Sequence, residues 1–130
     1  MIIVLDASSA VNIVHRNPIR DRLLPSVVGC DVLAPSLIDS EVASALARME
    51  RAGELSAPEA ATATRLWAQY PVQQIADSAL FLGAWELRHA MRVTDAFYVS
   101  LARRLTCPLV TCDARLARTP NLGIPVTLIT

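Results

Sequence analysis

The sequence predicts an α/β fold in which a mainly parallel sheet lies between two layers of helices. Five short apolar segments recur along the 130 residues, and helical patterns separate most of them. Strands that alternate with helices are joined by right-handed crossovers, which give a parallel sheet covered on both faces. The hydrophobic residues make up 53% of the chain and are mostly aliphatic, as helices stacked on a sheet require. We therefore expect one domain over residues 1–130.

The predicted strands are short and rich in branched residues. The first, IIVLD, is a run of branched apolar residues with no polar interruption, which is typical of a strand buried on both faces. In chain order, the predicted strands are IIVLD (2–6), DVLAPS (31–36), VQQIA (72–76), CPLVTCD (107–113) and PVTLI (125–129).

The predicted helices rest on capping residues and on residues that end helices. Gly53 lies just past one apolar pattern, and Pro71 ends another, because glycine favours the residue after a helix and proline cannot continue one. The helices are predicted from Ser36, as N-cap, to about Ala52, from Ser56 to Tyr70, from Ser78 to Met91 and from Thr94 to Leu105.

Composition excludes several classes of function. Twelve acids balance twelve bases, and every base is an arginine, so a mechanism that needs a catalytic lysine is not available. Cys30, Cys107 and Cys112 form no CxxC pair and have no histidine at zinc-like spacing, which indicates reduced thiols. No apolar run approaches the roughly 20 residues of a membrane helix. We expect a cytoplasmic protein with no membrane association.

Two aspartates stand where predicted strands end. Asp6 follows IIVL and Asp113 follows PLVTC, and in each case small or polar residues come next. In a parallel α/β sheet, ligands bind beyond the carboxyl ends of the strands, near the point where the strand order reverses. Each aspartate could instead cap the helix or turn that follows it, and the residues alone leave both roles open.

Two further acids lie on the apolar sides of predicted helices. At 100° per residue, Glu41 falls within about 60° of the centre of the stripe that includes Val42 and Leu46. Asp95 shares its side of a helix with Tyr98 and Val99, although an acid in the first turn is also favoured by the helix dipole. A glutamate that only faced solvent would lie opposite the stripe.

Gathering several carboxylates in one place is costly unless protons or cations neutralise them. Mg²⁺ or Mn²⁺ prefers carboxylate and water oxygens, and such a site can activate water and stabilise charge on a phosphodiester. A receiver-type phosphoacceptor domain also gathers aspartates around Mg²⁺, but it would need a lysine, which this chain lacks. A catalytically silent binding module remains an alternative.

Four segments, IVLDASSAV, PSLIDSEVASAL, RVTDAFYVSLARRL and LVTCDARL, together resemble the PIN domain ribonucleases, and in particular the VapC toxins of bacterial toxin–antitoxin pairs. The resemblance implies a three-layer α/β/α fold. It also assigns the catalytic, metal-binding quartet of the family to Asp6, Glu41, Asp95 and Asp113. Ser8 and Thr111 match the supporting hydroxyl residues, which could orient a metal-bound water.

The resemblance further implies Mg²⁺-dependent cleavage of structured RNA, such as tRNA or rRNA, inhibition by a cognate antitoxin, and a homodimer. Setting aside the four quartet acids leaves eight acids against twelve arginines, so the remaining surface is basic on balance. DNA remains possible as a substrate, because the acids act on the phosphodiester. Trp67 and Trp85 are interpreted as core or interface residues. The candidates for phosphate contacts are Arg88, Arg92, Arg115 and Arg118.

Overall fold

The chain folds around one five-stranded sheet in which every strand runs parallel to its neighbours. The structure is a computed structural model that describes residues 1–130. All five predicted strands are present, and the prediction of a mainly parallel sheet is confirmed. The strands are β1 (Ile2–Leu5), β2 (Asp31–Pro35), β3 (Gln73–Ile75), β4 (Leu109–Thr111) and β5 (Val126–Leu128).

Helices cover both faces of this sheet, as the three-layer fold class predicted. Helix α1 packs with α2, α3 and α4, whereas α5 packs on α6, which lies against β1, β2 and β4. No helix has both the length and the apolar character needed to cross a bilayer. The helices are α1 (Ala7–Val14), α2 (Pro18–Val27), α3 (Ile38–Arg51), α4 (Ala57–Gln69), α5 (Phe81–Glu86), α6 (Val93–Leu105) and α7 (Ala114–Ala117), with a 3₁₀ turn at Asp77–Ala79.

Strand β1 occupies the centre of the sheet because its side chains are apolar on both faces. Ile3, Val4 and Leu5 are all buried and belong to one core cluster of 28 residues. Branched side chains fit a pleated strand that helices cover from above and below, which is the environment the sequence predicted.

The strand order is β3-β2-β1-β4-β5, so the chain winds in one direction from β1 to β3 and in the other direction through β4 and β5. The reversal lies between β1 and β4, where Leu5 pairs with Val110. The carboxyl ends of these two strands therefore open a crevice at the switch point. Asp6 and Asp113, which follow the two strands, both lie at this edge.

The helix predicted from Ser36 begins later than expected. Helix α3 starts at Ile38 and its N-cap is Leu37, whose side chain makes no capping hydrogen bond. The Ser36 hydroxyl accepts instead from the backbone N–H of Asp77 at 3.1 Å, while the Asp77 carboxylate accepts from the N–H of Leu37 at 3.0 Å. The prediction that Ser36 is the N-cap is therefore wrong, because the Ser36 hydroxyl binds the backbone of Asp77, 41 residues away in the chain.

The helix predicted over Ser78–Met91 is also shorter in the structure. A 3₁₀ turn and the six-residue α5 replace it, and the bonds after Glu86 join residues three apart, as in Arg88 N to Trp85 O. The sequence patterns predicted no element between residues 7 and 30, where the structure has α1 and α2. Helix α1 carries the β-branched residues Val11, Ile13 and Val14, which are poor helix formers, so packing rather than propensity determines it.

Candidate active site

Asp6 lies at the carboxyl end of β1 with only 4% of its surface exposed. Its Oδ1 accepts from the backbone N–H of Ser9 at 3.0 Å and from the Ser8 hydroxyl at 2.8 Å, and the Thr111 hydroxyl donates to Oδ2. Burial raises the pKa of Asp6, while these hydrogen bonds oppose the rise. Asp6 is the N-cap of α1. The capping interpretation is therefore right and does not compete with a role at the site.

Two hydroxyl groups connect Asp6 to the end of β4. The Ser8 hydroxyl accepts from the backbone N–H of Cys112 at 3.0 Å, and the Thr111 hydroxyl accepts from that of Asp113 at 3.0 Å. Since each hydroxyl has one hydrogen and gives it to Asp6, both can only accept from a further group. In this structure Ser8 and Thr111 fix the orientation of the Asp6 carboxylate.

Glu41 lies half-buried in the first turn of α3, where its Oε1 accepts from the Tyr98 hydroxyl at 2.6 Å. Burial raises the pKa of Glu41, the Tyr98 hydrogen bond opposes this rise, and the negative charge of Asp95 adds to it. The pKa of Tyr98 is also raised, by burial and by its carboxylate neighbours, so its hydroxyl remains protonated and donates.

Sequence reasoning did not assign Tyr98 to the site. Its position three residues after Asp95 places both side chains on the buried side of α6. A buried tyrosine hydroxyl needs a polar partner. That requirement was the available signal, but it could not indicate that the partner is Glu41, 57 residues away in the chain.

Asp95 and Asp113 are joined through two arginines. Arg92 Nε lies 3.1 Å from Asp95 Oδ2, and Arg92 Nη2 lies 3.8 Å from Asp113 Oδ2. Arg115 Nη2 lies 3.5 Å from Asp95 Oδ2 and 3.4 Å from Asp113 Oδ2. The pKa of Arg92 is raised by its hydrogen bond to Asp95. Asp113 also caps α7 by accepting from the backbone N–H groups of Arg115 and Leu116.

The four arginines considered as phosphate contacts fall into two pairs. Arg92 and Arg115 form ion pairs with Asp95 and Asp113. Arg88 instead lies over the ring of Trp85, 4.4 Å from its centroid, and donates to the Trp85 carbonyl. Arg118 is exposed at the end of α7 and forms no ion pair. The structure therefore brings two of the four to the acidic cleft.

Hydrogen bonds and ion pairs link three of the four predicted acids, and Glu41 lies close enough for the charges of Asp95 and Arg92 to act on its pKa. Tyr98 joins Glu41 to α6, Arg115 joins Asp95 to Asp113, and Thr111 joins Asp113 to Asp6. No three histidine, cysteine or acidic side chains converge closely enough in this structure to hold a metal ion. The donor set nevertheless fits a cation, because the Oδ2 atoms of Asp95 and Asp113 already share a positively charged nitrogen. Hard divalent cations prefer such carboxylate oxygens.

A groove of about 560 Å³ opens beside the acids, between α1 and α3. Ser8, Glu41 and Arg92 form its end at the site, and Val11, Ala45 and Met49 supply apolar surface. Three polar residues that sequence reasoning did not assign also line it, namely Asn12, Ser44 and Arg48. Each is an ordinary polar residue of an amphipathic helix, so only the packing of α1 on α3 identifies them.

The two tryptophans lie away from the acids. Trp67 is buried in the core, donates from Nε1 to Asp39 at 2.8 Å and stacks on Tyr70. Trp85 is half-exposed on α5. These positions agree with the interpretation of Trp67 as a core residue, and they leave Trp85 available for an interface.

The fold and the site together define a three-layer α/β/α domain with acidic residues at its switch point. The PIN domain model matches residues 3–122, and the chain belongs to the PIN domain family. It is 40% identical over 121 residues to the ribonuclease VapC3 of Mycobacterium tuberculosis, covering 89% of this chain and 85% of that protein. The predicted resemblance to VapC-type PIN domains is confirmed, and so is the prediction that the protein is an enzyme of the nuclease class.

Solved structures agree with this assignment at the level of the fold. The VapBC2 structure from Rickettsia felis, bound to a DNA fragment from its promoter, superposes with a TM-score of 0.71 at 16% identity and full coverage of both chains. VapC20 of Mycobacterium tuberculosis, described as a toxin that cleaves the sarcin-ricin loop, gives a TM-score of 0.65 at 16% identity, covering 91% of this chain and 95% of that one.

Proposed function

We propose that this protein is an endoribonuclease that depends on Mg²⁺ or Mn²⁺ and serves as the toxin of a toxin–antitoxin pair. The observation that carries the proposal is the proximity of Asp6, Glu41, Asp95 and Asp113 at the switch point of a VapC-type PIN domain. These four acids would hold the cation. When bound, the cation supplies positive charge for the phosphodiester and activates water.

The residues around the cluster position it for this chemistry. Ser8 and Thr111 fix Asp6, and Tyr98 fixes Glu41, so both carboxylates are oriented before any ligand arrives. Arg92 and Arg115 supply positive charge at the cleft, where a phosphate of the substrate would lie. The groove between α1 and α3 gives a path for the RNA strand towards Glu41, and Arg48 in this groove forms no ion pair.

Structured RNA is the preferred substrate class, because VapC20 is described as cleaving the sarcin-ricin loop and VapC3 is named a ribonuclease. Candidate substrates are tRNA and rRNA, which places the reaction in the cytoplasm. DNA with the same sequence is the comparison that tests this choice, since the acids themselves do not read the sugar.

The cleavage assay compares wild type with four variants, D6N, E41Q, D95N and D113N, with Mg²⁺ and with EDTA. We expect cleavage by wild type only with the metal, and a loss of about 100-fold or more in each variant, as catalytic groups commonly contribute. D31N is the matched control, because Asp31 is exposed at the amino end of β2, on the opposite edge of the sheet. Undiminished cleavage in EDTA would exclude the metal mechanism, and absence of cleavage would favour a silent binding module.

A cognate antitoxin is the second part of the proposal. The VapBC2 structure is a complex of this kind, and one of its chains superposes on this chain over its full length. We infer that the antitoxin covers the acidic cleft and the groove between α1 and α3, and thereby excludes RNA. Expression of the chain alone should slow growth, and co-expression with the product of the adjacent gene should restore it. Normal growth with the toxin alone would contradict the assignment.

A homodimer is the third part. Helix α5 exposes Phe81, Leu82 and Trp85, which are 58%, 76% and 51% accessible, on one short element outside the core. Monomeric proteins rarely expose contiguous apolar patches of this kind without a partner. This α5 face is therefore where two copies would pair.

A further inference from the structure

We propose that Arg115, together with Arg92, is a built-in counter-ion that binds Asp95 and Asp113 in the metal-free protein and must leave them when the divalent cation binds. The inference rests on the proposed function, because it concerns how the same site takes up its metal. It assigns to this chain a competition between its own guanidinium groups and the ion.

The distribution of ion pairs is the first observation behind this inference. The chain has twelve arginines and twelve acids, yet all four of its ion-pair contacts join Arg92 or Arg115 to Asp95 or Asp113. An even spread of charges would place some pairs on the surface helices. The paired positive charge of the chain is therefore concentrated at these two carboxylates.

The geometry of Arg115 is the second observation. Its Nη2 atom lies 3.5 Å from Asp95 Oδ2 and 3.4 Å from Asp113 Oδ2, so one nitrogen serves both acids. A divalent cation shared by the two acids would bind the same oxygens, at about 2.1 Å for Mg²⁺. Because the ion and the guanidinium repel each other, the two cannot occupy this pair of oxygens together.

The freedom of Arg115 to move is the third observation. Its side chain is 61% exposed, and its guanidinium has no hydrogen-bond partner other than the two acids. Arg103 differs, because its guanidinium is held by the carbonyls of Leu122 and Asn121. A displaced Arg115 would remain beside a pocket of about 240 Å³ that Arg92, Asp95 and Thr119 also line. From there it could bind a substrate phosphate.

Metal binding in the absence of RNA tests the proposal. Calorimetric titration of the full chain with Mn²⁺ should show binding about three- to tenfold tighter for R115Q than for wild type, the range that one or two partly exposed ion pairs contribute. R118Q is the matched control, since Arg118 is the C-cap of the same short helix and forms no ion pair. Loss of the Arg118 charge should change the affinity for Mn²⁺ by less than about twofold, because salt screens charges that are not in contact with the site.

Thermal unfolding gives a second readout of the same competition. In EDTA, R115Q should unfold at a lower temperature than wild type, because Asp95 and Asp113 then lack a shared counter-ion. With saturating Mn²⁺ this difference should disappear or reverse. R115K, which keeps the charge, should behave like wild type in both measurements.

The outcomes separate the two proposals. If Mn²⁺ binds wild type but not D95N, and R115Q binds with wild-type affinity, the counter-ion proposal is wrong while the metal site stands. An equal gain for R118Q would also overturn it, because a general change of charge would then explain the effect. If wild type shows no Mn²⁺ binding that depends on Asp95, the metal mechanism fails together with the counter-ion.

Discussion

At the scale of single residues, the site depends on how buried carboxylates are held. Asp6 is almost fully buried, and its two oxygens are occupied by donors from both α1 and β4. When a buried carboxylate loses a hydrogen-bond donor, the free-energy cost of burying it rises, because no water replaces the lost hydrogen bond. The hydroxyls that bind Asp6 should therefore contribute to the stability of the fold.

The T111V variant tests this role of the hydroxyl. Valine keeps the β-branched shape but removes the donor to Asp6 and the acceptor for the N–H of Asp113. We expect a loss of about 1–3 kcal/mol in the free energy of unfolding and slower RNA cleavage. Urea unfolding and a cleavage assay measure both effects. T111S, which keeps the hydroxyl, should cleave at nearly the wild-type rate, whereas normal cleavage by T111V would show that the hydroxyl is dispensable.

Tyr98 gives a second prediction at this scale. Y98F removes the hydroxyl that donates to Glu41 and leaves the ring in place. The free energy of unfolding should fall by about 1–3 kcal/mol, because a half-buried carboxylate loses its hydrogen-bond donor.

The control for Y98F is Y70F. Tyr70 stacks on Trp67, but its hydroxyl forms no hydrogen bond within the protein, so this change should cost less than about 0.5 kcal/mol. Equilibrium unfolding in urea compares the two variants. Equal losses would mean that the Glu41 contact contributes nothing specific.

The sequence made the four acids candidates because each stands in an unusual place, at a strand end or on an apolar helix side, and because the resemblance to PIN domains assigns the quartet to them. It could not reveal the partners of these acids, because Tyr98, Arg92 and Arg115 are unremarkable residues until the fold brings them to a carboxylate. Glu41 and Tyr98, for example, are 57 residues apart. The sequence also suggested Arg92 and Arg115 as phosphate contacts, whereas in the structure both form ion pairs with Asp95 and Asp113.

At the scale of elements, local signals explain which helices the sequence predicted well. Helix α4 begins as expected because Ser56 and Glu59 form a reciprocal capping box, and it ends at Gln69, just before Tyr70 and Pro71. Helices α1 and α2 carry weaker signals. The N-cap of α1 is Asp6, whose position at a strand end also indicated a functional site. Helix α2 contains Pro25, and proline inside a helix is unfavourable. Where local propensity and packing disagree, packing decides.

The S56A variant tests the capping box of α4. The change removes the acceptor for the Glu59 N–H and should lower the melting temperature by about 3–5 °C, equivalent to about 1 kcal/mol. Differential scanning calorimetry measures this shift. S78A, at an exposed serine outside any capping box, should leave the melting temperature nearly unchanged.

The same capping box predicts a dependence on pH. Hydrogen bonds with Ser56 lower the pKa of Glu59 below its usual value of 4.5. Stability from this carboxylate is therefore fully present above pH 4.5 and lost as the pH falls through the lowered pKa. E59Q is the variant to compare, because S56A would keep the backbone N–H that binds the carboxylate. The difference in melting temperature between wild type and E59Q should narrow in that acidic range, and a constant difference would contradict the contribution of the carboxylate.

At the scale of the whole molecule, the strand order is the feature that the sequence could not supply. Alternating strands and helices predicted parallel neighbours, but many orders satisfy that pattern, and only the packed structure places β1 between β2 and β4. The interpretation of residues 1–130 as one domain remains a prediction. One core cluster, with buried residues from β1, β2 and β4 and from the helices, is in keeping with it.

The L82E variant tests the pairing of two copies through the α5 face. Leu82 is 76% exposed, so the charge should leave the monomer folded while it disfavours an apolar interface. Sedimentation equilibrium should show wild type as a dimer and L82E as a monomer. L66E, at an exposed leucine of α4, is the control and should remain dimeric. A monomeric wild type, or dissociation by L66E alone, would exclude this interface.

The central position of β1 also determines when the protein can become active during its synthesis. Val4 pairs with Leu109, and the bond from Thr111 to Asp6 joins residues 105 positions apart. A ribosome adds about 5–20 residues per second, so several seconds separate the synthesis of Asp6 from that of Asp113. Throughout that interval the nascent chain has no completed acidic cleft. The acidic cleft therefore cannot form until β4 has emerged from the ribosome and paired with β1.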